Sequence, residues 1–200
     1  MRRGFTLVEL LVVIAVLSIS MLLVLYIFTN SLRGSNKAQI LSSIKKNGQA
    51  MLETIDKTVR SSDNVICPTI PSGQTFASST NLVVEKGGIY TRFRFVTATT
   101  SVNGLVKQDN PTRGSTESIS ALLNRVCNTL DPLSSQALTL TDTNPQTGAS
   151  VQKGSFTRNK SFGFKDIVII SFQVAYPVEV FPALAGQIDP VDFSTTIGLR

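Results

Sequence analysis

Residues 2–28 read RRGFTLVELLVVIAVLSISMLLVLYIF, and this stretch decides the architecture. Two arginines and a glycine lead into a long apolar run interrupted early by one acid, Glu9; from Leu10 to Phe28 there is no charge, proline or glycine. An apolar run of about 18 residues or more is a candidate membrane-spanning helix. At about 1.5 Å of rise per residue, Phe5 to Phe28 gives about 36 Å, enough to cross a hydrocarbon core of about 30 Å. Arg2 and Arg3 precede the run, and residues 29–43 carry only Arg33 and Lys37. By a narrow margin, the flanking charge favours a cytoplasmic N-terminus and an exported remainder.

Glu9 does not fit a plain anchor. A carboxylate at the centre of a bilayer helix costs about 2.5–3.5 kcal/mol even on lenient insertion scales. Near the helix end it reaches the interface more cheaply, so a tolerated juxtamembrane acid is one reading. The other is functional: an acid in a membrane helix needs a named partner.

The run Gly4-Phe5-Thr6-Leu7-Val8-Glu9-Leu10 resembles the class III signal of type IV prepilins and type II secretion pseudopilins. The resemblance implies cleavage between Gly4 and Phe5 by a prepilin peptidase, followed by methylation of the Phe5 amine. It makes Glu9 the fifth mature residue, a filament-assembly residue. Chemically, cleavage leaves a cation at the end of an apolar helix with Glu9 one turn away. In axially staggered subunits the carboxylate of one neutralises the terminal amine of another, and a buried charge is tolerable when paired. Major pilins carry a glycine and a proline within this helix; here Ser18 and Tyr26 occupy those positions, which favours a minor pilin or pseudopilin. Lys37 to Arg60 followed by SSDNVIC (61–67) is similar, at pattern level, to J-type minor pseudopilins and W-type minor pilins. Retention of Glu9 argues against the outermost tip subunit. Partners implied are other pilins through the N-terminal helix, the peptidase and methyltransferase, and the membrane. The implied location is a single pass in the inner membrane with an exported head.

Composition excludes several function classes. There is no histidine, so Ser-His-Asp or Cys-His nucleophile systems and His-ligated metals are out. No carboxylates stand in a catalytic pattern, and neither an enzyme nor a cofactor is expected. Formal net charge is +6, and +4 once Arg2 and Arg3 are removed, too mild to argue nucleic-acid binding. Asp109, Asp131, Asp142 and Asp189 fall in loops; isolated aspartates there read as capping residues, so no metal is assigned. Two rival organisations remain: a plain anchored surface domain with the leader uncut, and a released soluble domain. Against the second, Phe28-Thr29-Asn30 lacks the small residues of a cleavage site.

Cys67 and Cys127, the only cysteines, lie in the part expected to be exported. In an oxidising compartment an even pair reads as one disulfide, against the alternative of two buried thiols. Closing a loop of this length stabilises by about 4 kcal/mol in the chain-entropy model.

Four segments follow: leader 1–4, transmembrane and assembly helix 5–28, amphipathic continuation 29–62, and a β-rich head 63–200. Residues 30–36 (NSLRGSN) include Gly34, and a bend is expected there. Leu41, Ile44, Gly48, Met51, Leu52, Ile55 and Val59 then recur at helical spacing, an apolar stripe suited to a sheet, with Gly48 permitting close approach. The helix should stop near 60–64. Beyond it, Val65–Cys67 reads as a strand, and Leu82–Glu85 and Ile89–Phe95 as a hairpin around Gly87-Gly88. On that second strand Ile89, Thr91, Phe93 and Phe95 share the face expected to meet the helix, leaving Tyr90, Arg92 and Arg94 as a small basic patch on a solvated face. Residues 116–130 read either as a short helix capped by Ser118, the favoured reading, or in part as a strand leading through Cys127; a strand at 105–107, strands at 137–140 and 165–176, and a closing strand at 192–199 complete the reading. The apolar run Ile167–Ile170 predicts burial on both faces, 142–148 a turn, and 177–190 a surface excursion. The fold class is α+β and pilin-like: a long N-terminal helix packed on an antiparallel sheet.

Overall fold

The computed structural model describes residues 7–99, 102–142, 148–160, 163–177 and 188–199. The expected turn at 142–148 and the excursion at 177–190 lie largely outside them. The chain forms two compact units, Met1–Ile40 and Leu41–Arg200.

Helix α1, Leu7–Arg60, opens the fold. Its backbone is helical without interruption through Gly34, where the sequence had argued for a bend. The glycine sits in open space and nothing forces a break, so the roughly 1 kcal/mol penalty of a helical glycine is absorbed by the turns around it. The stripe behaves as its spacing requires: Ile44, Gly48, Met51, Ile55 and Val59 are buried. Lys57 and Arg60 in the last turn suit the negative end of the helix dipole. Ser62 closes the helix, its hydroxyl donating to the Val59 carbonyl (2.6 Å).

The second unit holds two antiparallel sheets. The first has strand order β1-β3-β4-β5-β6, from β1 (Asn64–Cys67), β3 (Asn81–Lys86), β4 (Ile89–Val96), β5 (Leu105–Asp109) and β6 (Leu138–Thr139). The second has order β2-β7-β8-β9, from β2 (Phe76–Ser79), β7 (Ser150–Asn159), β8 (Ile167–Ala175) and β9 (Val191–Gly198). Only Thr80 separates β2 from β3, so the chain steps there from one sheet to the other. The β3–β4 turn places both Gly87 and Gly88 at positive φ (56° and 82°), the backbone of a two-residue hairpin turn that glycine adopts without cost.

Aromatic rings join these layers. Phe95 of β4 stacks on Phe156 of β7 (centroids 4.5 Å apart) and meets Phe172 of β8 (5.7 Å), which stacks on Phe193 of β9 (5.2 Å). Phe193 in turn lies against Gly48, where any Cβ would collide with its ring. The close approach read from the stripe is therefore to this ring.

Three expectations fail on burial. Ile89, expected on the face that meets the helix, is 65% exposed at the start of β4, beside the hairpin turn. In β8, Val168, Ile170, Phe172 and Val174 are buried while Ile167 and Ser171 are exposed, because only one face of the second sheet is covered. The apolar run is thus half-buried. Arg92 and Arg94 are not on a solvated face: they are 1% and 8% exposed. That side of the first sheet is covered by α2 (Ile119–Cys127) and the chain after it. Helix α2 begins at Ser118, whose side chain accepts from the Ala121 amide, and packs Leu122 and Val126 on Cys67 and Val83. Strands β2 and β7 were not anticipated. The first is four residues of alternating partial exposure, and the second buries few apolar side chains, chiefly Val151 and Phe156.

Gly48→Ala tests the helix–sheet contact by its sign. At an open helical site the change stabilises by about 1 kcal/mol; against Phe193 it should instead destabilise by about 1–3 kcal/mol. Thermal unfolding decides, and shaving Phe193 to leucine in the same chain should recover part of the loss.

Candidate assembly site

The first unit supplies an apolar surface with one acid. Every described side chain from Leu7 to Gln39 is exposed. Its most apolar 18-residue window has mean hydropathy 3.0, and by length and composition this helix can cross a membrane. Hydroxyls within it are satisfied locally: Ser18 donates to the Ile14 carbonyl (2.8 Å), Ser20 to Val16 (2.9 Å) and Thr29 to Tyr26 (3.0 Å). Such back-bonding removes the cost of a bare hydroxyl in hydrocarbon. Glu9 stands in the first turn of α1, where the helix dipole favours an anion. Gly4 and Phe5 lie outside the described residues.

The second unit contains a charge cluster that sequence reading did not assemble. Arg92 Nε and Nη2 bind both oxygens of Asp109 (2.8 and 2.6 Å), a bidentate pair at 1% side-chain exposure on each partner. Its Nη1 binds the Asp131 carboxylate (2.5 Å). Arg94 donates from Nε to Asn81 Oδ1 (2.6 Å) and from Nη1 to the Asp131 carbonyl (2.6 Å). Register makes this possible: Arg92 stands opposite Asp109 and Arg94 opposite Asn81 in the first sheet. The charges of Arg92 and Arg94 are thereby spent inside the protein. Asp131 and Asp109, read from the sequence as loop caps, are counter-ions. The alternation Arg92-Phe93-Arg94-Phe95 gave no local signal of this, because a strand buried on one face ordinarily leaves its charged face to solvent.

Burial alone would raise the Asp109 carboxyl, but the Arg92 guanidinium and the Ser134 amide outweigh it and hold the group below its ordinary 3.8. At the surface, hydrogen bonds from Arg125 and the Gly114 amide pull Glu117 from 4.5 to about 2. Cys67 and Cys127 are joined in a disulfide with Cα atoms 5.5 Å apart, tying β1 to the end of α2. Among the described residues, no three His, Cys, Asp or Glu side chains are grouped to hold a metal.

Removing one partner of a buried pair strands the other charge. Arg92→Leu should therefore destabilise by about 3–5 kcal/mol, read from denaturant unfolding. Both carboxyls are depressed in the fold, so their contribution is complete above their unfolded values of 3.8 and 4.5 and disappears as pH falls through the folded ones. Unfolding temperature should drop between pH 4.5 and about 2, and the drop should shrink in Glu117→Gln. Alkylating the denatured protein without reductant should add no mass at either cysteine.

A family model described as the prokaryotic N-terminal methylation motif matches residues 1–25. No curated protein and no solved structure matches the chain significantly. The motif, set on a long apolar helix that leads into antiparallel sheets, supports a type IV pilin-like protein bearing a prepilin signal.

Proposed function

We propose that this chain is a minor pilin or pseudopilin. In this reading a prepilin peptidase cuts between Gly4 and Phe5, and the Phe5 amine is methylated. The mature helix then carries the subunit from the membrane into a type IV pilus or a type II secretion-like filament, which it joins or primes. Its role is structural, with the head exported.

The observation that carries the reading is the methylation motif over residues 1–25, leading into an unbroken apolar helix with Glu9 in its first turn. Cleavage makes the Phe5 amine a cation in an apolar setting, and Glu9 is the acid placed to neutralise it in a staggered neighbour. Pairing removes much of the cost of burying either charge. The minor role is supported by Ser18 and Tyr26, which leave no glycine or proline between Leu10 and Phe28. A helix without a breaker keeps its hydrogen bonds where a major subunit partly melts. Resemblance of residues 37–67 to J-type and W-type minor subunits points the same way.

Mass analysis of the N-terminus, on protein from its native membrane, should find Phe5 first and bearing one added methyl group. An intact Met1 or Arg2 would reduce the helix to an ordinary anchor. Glu9→Ala should be cut normally yet enter filaments about tenfold less or worse. Equal recovery of variant and wild type in purified filaments would remove Glu9 from assembly.

A further inference from the structure

The β3–β4 turn and the segment leading into α2 enclose a largely apolar pocket of about 310 Å³. Ile89 and Tyr90 line it from β4, Ile119 and Leu122 from α2, and Pro111 from the chain between β5 and α2. Leu122 is buried, while Ile89 and Ile119 are 65% and 56% exposed, so the pocket opens to solvent between two large apolar side chains. Both segments that frame it are fixed by hydrogen bonds. On one side the Gly87 amide donates to Asp63 (2.9 Å) and the Gly88 amide to Glu85 (2.9 Å). On the other, Arg125 donates to the Thr112 carbonyl (3.1 Å) and to both Glu117 oxygens (2.8 and 3.0 Å), and the Gly114 amide to Glu117 (3.1 Å). A cavity preformed in this way loses little entropy when it is filled.

Three polar side chains line the same space with hydrogen-bonding capacity left over. Among the described residues, the Tyr90 hydroxyl and the Asn110 amide have no partner. Arg113 uses only Nε, which donates to the Glu117 carbonyl (2.5 Å), and enters no salt bridge. The acid of this loop, Glu117, is committed to Arg125 instead. Arg113 thus carries the only charge among the described residues that line the pocket, and its two Nη groups are available.

We propose that this pocket binds a small carboxylic acid with an apolar body. The ring or short chain of the ligand packs on Ile89, Ile119 and Leu122, and its carboxylate takes a forked pair of hydrogen bonds from Arg113. The volume lies at the low end for small-molecule sites, which suits one compact ligand and not a peptide or glycan chain. One guanidinium with no lysine beside it matches a single negative charge and not a phosphate. The site lies wholly in the second unit and does not depend on the pilin reading.

The test uses the full chain in lipid nanodiscs, labelled at isoleucine methyl groups, and titrates phenylpropionate and its neutral counterpart phenylpropanol by NMR. Phenylpropionate should shift Ile89 and Ile119 saturably, leaving Ile170 in the core and Ile14, Ile19 and Ile27 in the apolar helix unmoved. The alcohol should bind the same site about tenfold more weakly. Arg113→Gln should bring the acid down to the level of the alcohol and leave the alcohol unchanged. Arg113→Lys, which keeps the charge but lacks the Nε bond to Glu117, should retain a preference for the acid, which separates recognition from support of the loop. Ile119→Ser, at an exposed side chain, should weaken both ligands alike. The proposal is overturned by shifts that do not saturate or that appear only in the apolar helix, which is partition into the bilayer. Equal affinity for acid and alcohol, a preference that survives Arg113→Gln or is lost in Arg113→Lys, or binding untouched by Ile119→Ser would overturn it as well.

Discussion

A row of four phenylalanine rings holds the head together. Phe193, Phe172, Phe95 and Phe156 run from β9 through β8 to β4 and β7, and Gly48 of α1 closes one end. This row touches the helix and both sheets at once. Stacked and tilted rings at these separations contribute about 0.5–1.5 kcal/mol per pair beyond the area they bury. Their larger effect is geometric, since each ring fixes the distance between two layers. Gly154 belongs to the same arrangement: Phe95 lies over it, and a Cβ there would displace the ring. Two glycines in regular elements, each normally a weakness, are what let the layers meet.

The opposite face of the first sheet is built by another principle. Beside the apolar contacts of Leu122 and Val126 with Cys67 and Val83, it uses full pairing of buried charge, with Arg92 satisfied by two carboxylates and a carbonyl, and Arg94 by an amide and two carbonyls. Ion pairs of this kind contribute little net stability against an apolar replacement, yet they punish any loss of a partner. Their worth lies in specificity: planar guanidinium groups accept only one placement of the chain after α2. The head therefore has an apolar side toward α1 and, on the other face, an exacting polar network toward the chain after α2.

Much of this was legible in the sequence, for reasons that differ by element. The apolar run of α1, the stripe from Ile44 to Val59 and the Gly87-Gly88 turn are local patterns, and local patterns survive in any context. The Ser118 cap and the closing strand β9 were legible on the same ground. What escaped was non-local. Strand β7 carries only scattered apolar residues, Val151 and Phe156 among polar side chains and Gly154, so period and propensity were silent. Arg92 and Arg94 looked exposed because charge usually is; only the register that sets Asp109 across from Arg92 reveals otherwise. The apolar density of β8 misled in the other direction, since Ile167 and Ile169 sit on the uncovered face. At the N-terminus the methylation motif was readable residue by residue, while Gly4 and Phe5 fall outside the described structure.

The single-residue step at Thr80 also sets an order of events. The first sheet, α2 and both cysteines are all encoded before Leu140, so the partners of that half are present before the second sheet is complete. Strand β2 is made early too, but its partner residues, Phe156–Asn159, come much later. Until β7 arrives, β2 is an unpaired edge and Phe95 has no ring to rest on. Open edges and bare aromatic faces are what chains aggregate through. In a chain made only as far as Leu140, the surface destined for the second sheet has no cover; the last third of the sequence supplies it.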